Sequence, residues 1–388
     1  MKLNFKKALS FKGRNVGLVI PPSPFLLDER VFVSLGILRV ASSLEQQGVN
    51  VGVLDLSGVS NYLEALESYL DTTDIEWIGI TCTTPQLPAA VKLAKSIRKI
   101  KPDLRIVLGG PHVTLTYSAV KVETKNGVVN GRAHKAARLL ETYFDVLMSG
   151  DGELAVFEAF KEDCPKVVDG DDMRGDFFMS DDQYEELPRP ARHLVDLNTY
   201  HYSIEGYPAT SLIAQLGCPF NCGFCGGRNS RSLRVIRNRS EWSIVDEVRW
   251  LHETYGYTGF MFYDDELNVN KSFVKLMNDI YDLQQELGVE FRLRGFIKAE
   301  LFNEEQAEAM YRAGFRWILS GFEAAHPQIL KNIDKMATLE DNTRVVEIAH
   351  KYGLKVKALM SVGHPGETRD SILSIRDWLI KMRVDDFD

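Results

Sequence analysis

Ten short strand-like runs, most of them apolar and two alternating apolar residues with Arg or Lys, each closing on a turn residue or an acid or meeting a helix-length stretch, constrain this chain more than any other feature. In the first 150 or so residues they are Val16–Ile20 before Pro21-Pro22, Val51–Leu54 before Asp55, Ile78–Ile80 before Thr81, Ile106–Leu108 before Gly109-Gly110, and Val146–Met148 before Ser149-Gly150. Amphipathic segments lie between them; Val91, Leu93, Ala94 and Ile97 fall on one helical face. Strands that are apolar throughout are buried on both faces, which requires helices above and below a parallel sheet. Ligands of such sheets bind beyond the carboxyl ends of the strands. The loops to watch are therefore Gly109-Gly110-Pro111-His112 and Gly150-Asp151-Gly152-Glu153. No GxGxxG follows the first strand, so a dinucleotide site has little support.

A second series begins at Thr210–Ala214 and continues through Gly259–Tyr263, Phe291–Leu293, Trp317–Ser320 and Leu354–Met360. A helix is expected to open at Asn270, and Thr338 is expected to cap another that ends at Gly353. Strands alternating with helices in this way fit a βα barrel or part-barrel with its site at the carboxyl ends of the strands. Between the two series lies an acidic, Pro-punctuated stretch, DGDDMRGDFFMSDDQYEELPRPARHL, expected to be a linker or irregular lid. The expected division is 1–155, 156–207 and 208–388. A length of 388 residues holds two or three domains at roughly 100–200 residues each.

A formal charge of -8 argues against a surface that coats nucleic acid or a membrane. No apolar run reaches the roughly 18–20 residues of a membrane span. Lys12 and Arg14 interrupt the N-terminal stretch before any signal-like core develops, and the expected location is cytoplasmic.

Three of the five cysteines fall within eight residues, in Gly217-Cys-Pro-Phe-Asn-Cys-Gly-Phe-Cys225, immediately after an expected strand. Three thiolates on one tight loop can hold three corners of an iron–sulfur cubane and leave the fourth iron open to an amino and carboxylate group. A closed zinc site needs a fourth ligand, and neither His201 nor His252 is placed to complete a second pair. Inert thiols are the remaining alternative. Cys82 and Cys164 stand alone and read as structural.

CxxxCxxC with Phe224 just before its third cysteine resembles the signature of the radical S-adenosylmethionine (SAM) superfamily. With GGPHVT and GDGE on the preceding sheet, nearly the whole chain resembles the subgroup that has an N-terminal cobalamin-binding domain. The resemblance implies a Rossmann-like α/β domain followed by a partial (βα)6 barrel. It implies that Cys218, Cys222 and Cys225 ligate a [4Fe–4S] cluster, with Phe224 beside the adenine of SAM. Asp264, Asp265 and Glu266 take the place of the family's GGE segment, whose two glycines are absent here, and one of these acids meets the cofactor ammonium. Arg294 pairs with its carboxylate, Ser320 and Glu323 take the ribose positions, and the loop from Ser361 through Gly363 into His364-Pro-Gly-Glu-Thr368 passes the adenine. For cobalamin the implied residues are Leu35, Gly36, Gly109, Gly110, Pro111, His112, Gly150, Gly152 and Glu153. Ser57 and Ser60 stand where a His-on motif needs His and Gly, so the cobalt has no lower histidine from that segment. After Pro111 in a tight turn, His112 reads as a loop hydrogen-bonding residue more readily than as a cobalt ligand.

Each SAM position has a plainer counterpart: a solvated helix entry for the acids, a rim ion pair for Arg294, a satisfied interior pair for Ser320 and Glu323. The implied function is methyl transfer through cobalamin, to an unactivated carbon or phosphorus of a small molecule. One SAM supplies the methyl group and a second the 5′-deoxyadenosyl radical, with electrons from an external donor such as flavodoxin or ferredoxin. A radical cyclase or rearrangement enzyme with the same cofactors, and a non-catalytic cluster-binding protein, are the alternatives. Arg228, Arg231, Arg234, Arg237 and Arg239 offer a basic stretch for an anionic substrate or for the acidic linker. The chain stops at Val384–Asp388, where a sixth strand is due; a truncated sequence, or a partner chain completing the barrel, is expected.

Overall fold

A computed structural model describes residues 13–388, so the first twelve residues of the N-terminal stretch lie outside the described part. The described chain divides into two compact units, residues 13–201 with 229–233, and residues 202–228 with 234–388.

In the first unit six strands form one parallel sheet: β1 (Asn15–Ile20), β2 (Asn50–Asp55), β3 (Trp77–Thr81), β4 (Arg105–Gly109), β5 (Val146–Gly150) and β6 (Val167–Gly170). Their order is β2-β1-β3-β4-β5-β6. The chain leaves β1 toward β2 and then crosses to β3 on the other side, so the order reverses between β1 and β3. At such a switch point loops diverge and leave a crevice at the carboxyl edge. Helices cover both faces, as the doubly buried strands require. Helix Leu87–Ile100 turns Leu93, Ala94 and Ile97 into a core that includes Ile78, Ile80, Ile106 and Leu108.

The expected linker behaves differently from its composition. Val167-Val168 supplies β6, which pairs with β5 from Leu147↔Val167 to Gly150↔Gly170. Ser180 then caps helix Asp181–Glu185 in a reciprocal box with Gln183. Two valines amid acids are enough, because an edge strand buries little and pairs mainly through its backbone.

The second unit contains β7 (Ser203–Ile204), β8 (Tyr207–Leu212), β9 (Gln215–Leu216), β10 (Arg237–Asn238), β11 (Gly259–Phe262), β12 (Arg292–Phe296), β13 (Phe315–Glu323), β14 (Lys355–Met360) and β15 (Asp386–Phe387). Strands β8, β11, β12, β13, β14 and β15 are parallel neighbours in chain order, the arrangement of a partial βα barrel; β7 runs antiparallel to β8 at the edge. The sixth strand does begin, with Lys357↔Asp386 and Ala358↔Phe387 in register. Alternation along each strand sends one face to the helices. There Phe260 meets Phe291 edge-on at 5.1 Å, and Phe262 lies 5.9 Å from Phe315. Burying each such ring contributes about 1.5–3 kcal/mol. Thr338 caps its helix as expected, whereas the helix expected at Asn270 starts at Phe273. Asn270 Oδ1 instead accepts the Ser272 N–H at 2.9 Å, an Asx-type turn that delays the first helical residue.

No helix among the described residues is long and apolar enough to cross a membrane.

Candidate functional site

The cysteine loop of the second unit hangs from a stem. Strand β8 stops at Leu212, and the chain breaks away through Ile213 and Ala214 before Gln215-Leu216 pairs antiparallel with Arg237-Asn238 on the far side of the loop. Gly217 closes the turn at φ 85°, where a Cβ would fall 2.2 Å from the Val235 carbonyl oxygen, so only glycine passes there. Beyond it Cys218 is half-buried, Cys222 buried and Cys225 exposed, all three as free thiols. The Cys225 N–H donates to the Cys222 carbonyl at 3.1 Å, and the Gly223 N–H donates to that of Ile333 at 2.6 Å. Two arginines of the basic stretch brace the loop. Arg228 donates to the Gly223 carbonyl at 2.7 Å, and Arg234 to the Asn221 amide oxygen and the Pro219 carbonyl at 2.7 and 2.6 Å. These two guanidiniums are spent on holding the loop.

Among the described residues no three His, Cys, Asp or Glu side chains are gathered as a single metal ion would gather them. Three thiols on one loop without a fourth protein donor are the donor set of a cubane with an open iron, and they do not make a closed zinc site. Burial pushes the Cys218 thiol up to about 11 in the metal-free protein, so iron binding there must displace a proton.

The three acids after β11 diverge. Asp264 is buried, and its carboxylate faces the stem, accepting N–H groups of Ala214 and Gln215. Burial raises it to about 7. Glu266 is also raised to about 7 by burial, against the pull of Lys335 and Lys298. Both lysines are almost fully buried. Lys298 lies 3.2 Å from Glu300 and 4.5 Å over the Phe220 ring, and Lys335 lies 3.6 Å from Glu323 and 6.0 Å from the Phe224 ring centre. Cations and acids thus meet over the two aromatics of the cysteine loop, a setting matched to a zwitterion. Sequence reasoning missed both lysines, because each sits in a loop where no spacing marks it.

The remaining expected positions separate. Arg294 stacks over Trp317 at 5.7 Å and makes no ion pair with the acids after β11. Ser320 is buried, and its hydroxyl donates to the Ile297 carbonyl at 3.1 Å. Glu323 ends β13 at φ 65° and accepts the Ser361 hydroxyl at 2.6 Å. A carboxylate only accepts, so the Ser361 proton goes to Glu323, and His364 Nε2, 2.7 Å from Ser361 Oγ, is the donor of that second bond. The tautomer of His364 is thereby fixed, and its ring lies 5.6 Å from Phe224. Gly363, at φ 97°, donates its N–H to Glu367, which also receives the His364 N–H.

In the first unit the expected cobalamin positions line the carboxyl edge. Leu35 and Gly36 open helix Leu35–Gln46, and a Cβ on Gly36 would meet nothing within 4 Å. Gly110, at φ 94°, lets the β4 loop approach β3; a Cβ there would lie 2.7 Å from the Cys82 nitrogen. Gly109 packs on Met148, Pro111 starts helix Pro111–Lys125, and the His112 N–H donates to the Cys82 carbonyl at 2.9 Å. The His112 ring, in the first turn of that helix rather than in a loop, lies 3.0 Å from the Thr84 hydroxyl, and burial lowers its pKa, which favours the neutral ring. Gly150 and Gly152 face Gly170 and Val40, and Glu153 is buried in the next helix. These glycines serve chain-to-chain approach first. What fits a ligand is the open side of Gly36 and the Ser149 hydroxyl at the end of β5, buried with no hydrogen-bond partner. Asp55, in the segment without the His-on motif, is spent on Arg30 and Tyr200 at 2.5 and 2.6 Å.

Comparison with known proteins finds one family model in each half of the chain. A model of the B12 binding domain matches residues 29–155, and one of the radical SAM superfamily matches residues 212–379. An uncharacterised methyltransferase of Pyrococcus horikoshii is 26% identical over 392 residues, covering 96% of this chain and 79% of the relative. The anaerobic magnesium-protoporphyrin IX monomethyl ester cyclase of Rubrivivax gelatinosus is 25% identical over 315 residues, covering 78% of this chain and about half, 54%, of that enzyme. Among solved structures, the radical SAM methyltransferase TsrM from Kitasatospora setae, with cobalamin and a [4Fe–4S] cluster bound, superposes with a TM-score of 0.75 at 19% identity, over 97% of this chain and 71% of that one. Three thiols on a stem beneath a parallel half-barrel, after a doubly wound sheet matched to the B12 fold, place this chain in the radical SAM superfamily, in the group that carries a cobalamin-binding domain.

Proposed function

We propose that this protein is a cobalamin-dependent radical SAM methyltransferase that acts on a small molecule, at an unactivated carbon or phosphorus. The observation that carries the reading is the two-domain order, shared along nearly the whole chain with a relative named as a methyltransferase. When bound, the cofactors supply methyl carriage and a radical, and the protein supplies orientation and exclusion of water.

Cys218, Cys222 and Cys225 hold the cluster, with Gly217 and the stem fixing their approach. Glu266 takes the SAM ammonium, and Lys298 and Lys335 face its carboxylate. Phe224 and the Ser361–His364 loop flank the adenine, with Glu323 orienting Ser361. Leu35, Gly36, Gly109–His112, Gly150, Gly152 and Glu153 border the corrinoid. Electrons come from an external donor of the flavodoxin or ferredoxin kind.

Anaerobic reconstitution with hydroxocobalamin, followed by metal analysis, tests this. About four irons and one cobalt per chain are expected, and label from methyl-labelled SAM should then appear in a product. Zinc in place of iron, or iron without cobalt, overturns the reading. Labelled SAM consumed with no methylated product would move the assignment to cyclisation or rearrangement.

A further inference from the structure

The break between β8 and β9 leaves main-chain groups inside the second unit without strand partners, and buried charges take them. Asp264 Oδ1 accepts the Gln215 N–H at 2.6 Å, and both its oxygens lie within 3.2 Å of the Ala214 nitrogen. On the opposite side Arg239 donates its backbone N–H to the Ala214 carbonyl and its guanidinium to the Ile213 carbonyl, each at 3.1 Å. Glu247 neutralises Arg239 at 2.6 Å, with both side chains almost wholly buried. The Gln215 side chain in turn donates to the Glu266 carbonyl at 2.7 Å. One carboxylate thus gathers the N–H groups of the stem, and one arginine takes its C=O groups, Ala214 through the backbone N–H and Ile213 through the guanidinium, just before the first cysteine.

Buried charge is costly unless every lone pair and proton is used. Turning this carboxylate away from the stem to meet a cofactor ammonium would orphan the buried N–H donors of Ala214 and Gln215. From this arrangement we infer that Asp264 and Arg239 are positioning residues that set the cysteine loop on the barrel, and that Asp264 is not a SAM ligand. The role rests on the cluster reading above for its purpose, and its geometry stands apart from it. The three consecutive acids then divide their work: Asp264 holds the stem, while Asp265 and Glu266 remain for the cofactor.

Amide hydrogen exchange on the full-length, metal-free protein tests the clamp. Asp264→Leu keeps the branching at Cγ and removes both acceptor oxygens. Exchange at Ala214 and Gln215 is expected to accelerate at least about tenfold, with helix Phe273–Leu287 unchanged. Asp264→Asn, which keeps an acceptor oxygen, is expected to restore most of the protection; a role in bulk alone would leave the Leu variant like the parent. After reconstitution the Leu variant is expected to change the electron paramagnetic resonance line shape of the reduced cluster without SAM, whereas Glu266→Gln leaves it unaltered. Unchanged exchange at both amides overturns the inference. Should Asp264→Leu loosen helix Phe273–Leu287 as well, Glu247→Gln decides: faster exchange of the Arg239 amide supports the clamp and an unchanged rate overturns it. A parent protein that binds zinc would sink the cluster reading while leaving the exchange result standing.

Discussion

His134 donates both its backbone N–H and its ring Nδ1–H to one carboxylate oxygen of Glu123, at 3.1 and 2.7 Å, while Ala133 donates to the other oxygen at 2.9 Å. Glu123 thereby caps helix Arg132–Tyr143 from outside it. The Ala133 N–H, with help from His134, lowers the carboxyl from 4.5 to about 2. A folded pKa below the unfolded one gives stability that is fully present above pH 4.5 and is lost as pH falls toward 2. Denaturant melts of the metal-free protein should therefore show a fall in stability between pH 5 and pH 3 that is smaller in Glu123→Gln, for which this carboxyl no longer titrates. Parallel pH curves would contradict the cap.

Ser361→Ala removes the hydroxyl that Glu323 accepts and that His364 meets, leaving a half-buried carboxylate facing Lys335. A lost hydrogen bond to a charged group costs about 1.5–3 kcal/mol. Urea unfolding of the metal-free variant should read a loss of that order, and SAM affinity of the reconstituted protein should fall with it, because the His364 ring beside Phe224 is no longer held.

Each of Cys218→Ala, Cys222→Ala and Cys225→Ala is expected to drop iron from about four per chain to a small residue. Cys82→Ala and Cys164→Ala should leave it unchanged, since these thiols belong to the first unit, where burial raises both. Iron that survives all three loop substitutions would move the cluster elsewhere.

Two glycines of the first unit should part company. Gly150→Ala places a methyl group within 2.5 Å of the Gly170–Asp171 backbone at φ 82° and is expected to destabilise the fold by more than about 2 kcal/mol. Gly36→Ala meets nothing within 4 Å in a helical position, so stability should hold or rise by up to about 1 kcal/mol. Its expected cost is in hydroxocobalamin affinity, read by absorbance titration; unchanged affinity would take Gly36 out of the cobalamin site.

Where burial is two-sided the sequence announces itself. Val16–Ile20 and three of its counterparts became strands β1, β3, β4 and β5 because doubly buried strands need unbroken apolar runs, whereas β2 carries the same pattern at the half-buried edge of the sheet. β6 escaped because two valines in an acidic stretch do not look like a strand until β5 offers a backbone to pair with. The cysteines were visible as a spacing. The direction of Asp264 was not: three successive acids look alike until the orphaned N–H groups of Ala214 and Gln215 choose one. Lys298 and Lys335 were hidden for a related reason, since their meaning depends on Phe220 and Phe224, more than seventy residues away in the chain.

A programme of thermostabilisation would choose Glu323 early. Its left-handed backbone costs a non-glycine residue roughly 1–2 kcal/mol, and glycine would relieve that at once. The same change would strip Ser361 of its acceptor and Lys335 of its counter-ion. Robustness and alignment pull this position in opposite directions, and a glutamate here is the outcome in which alignment prevails.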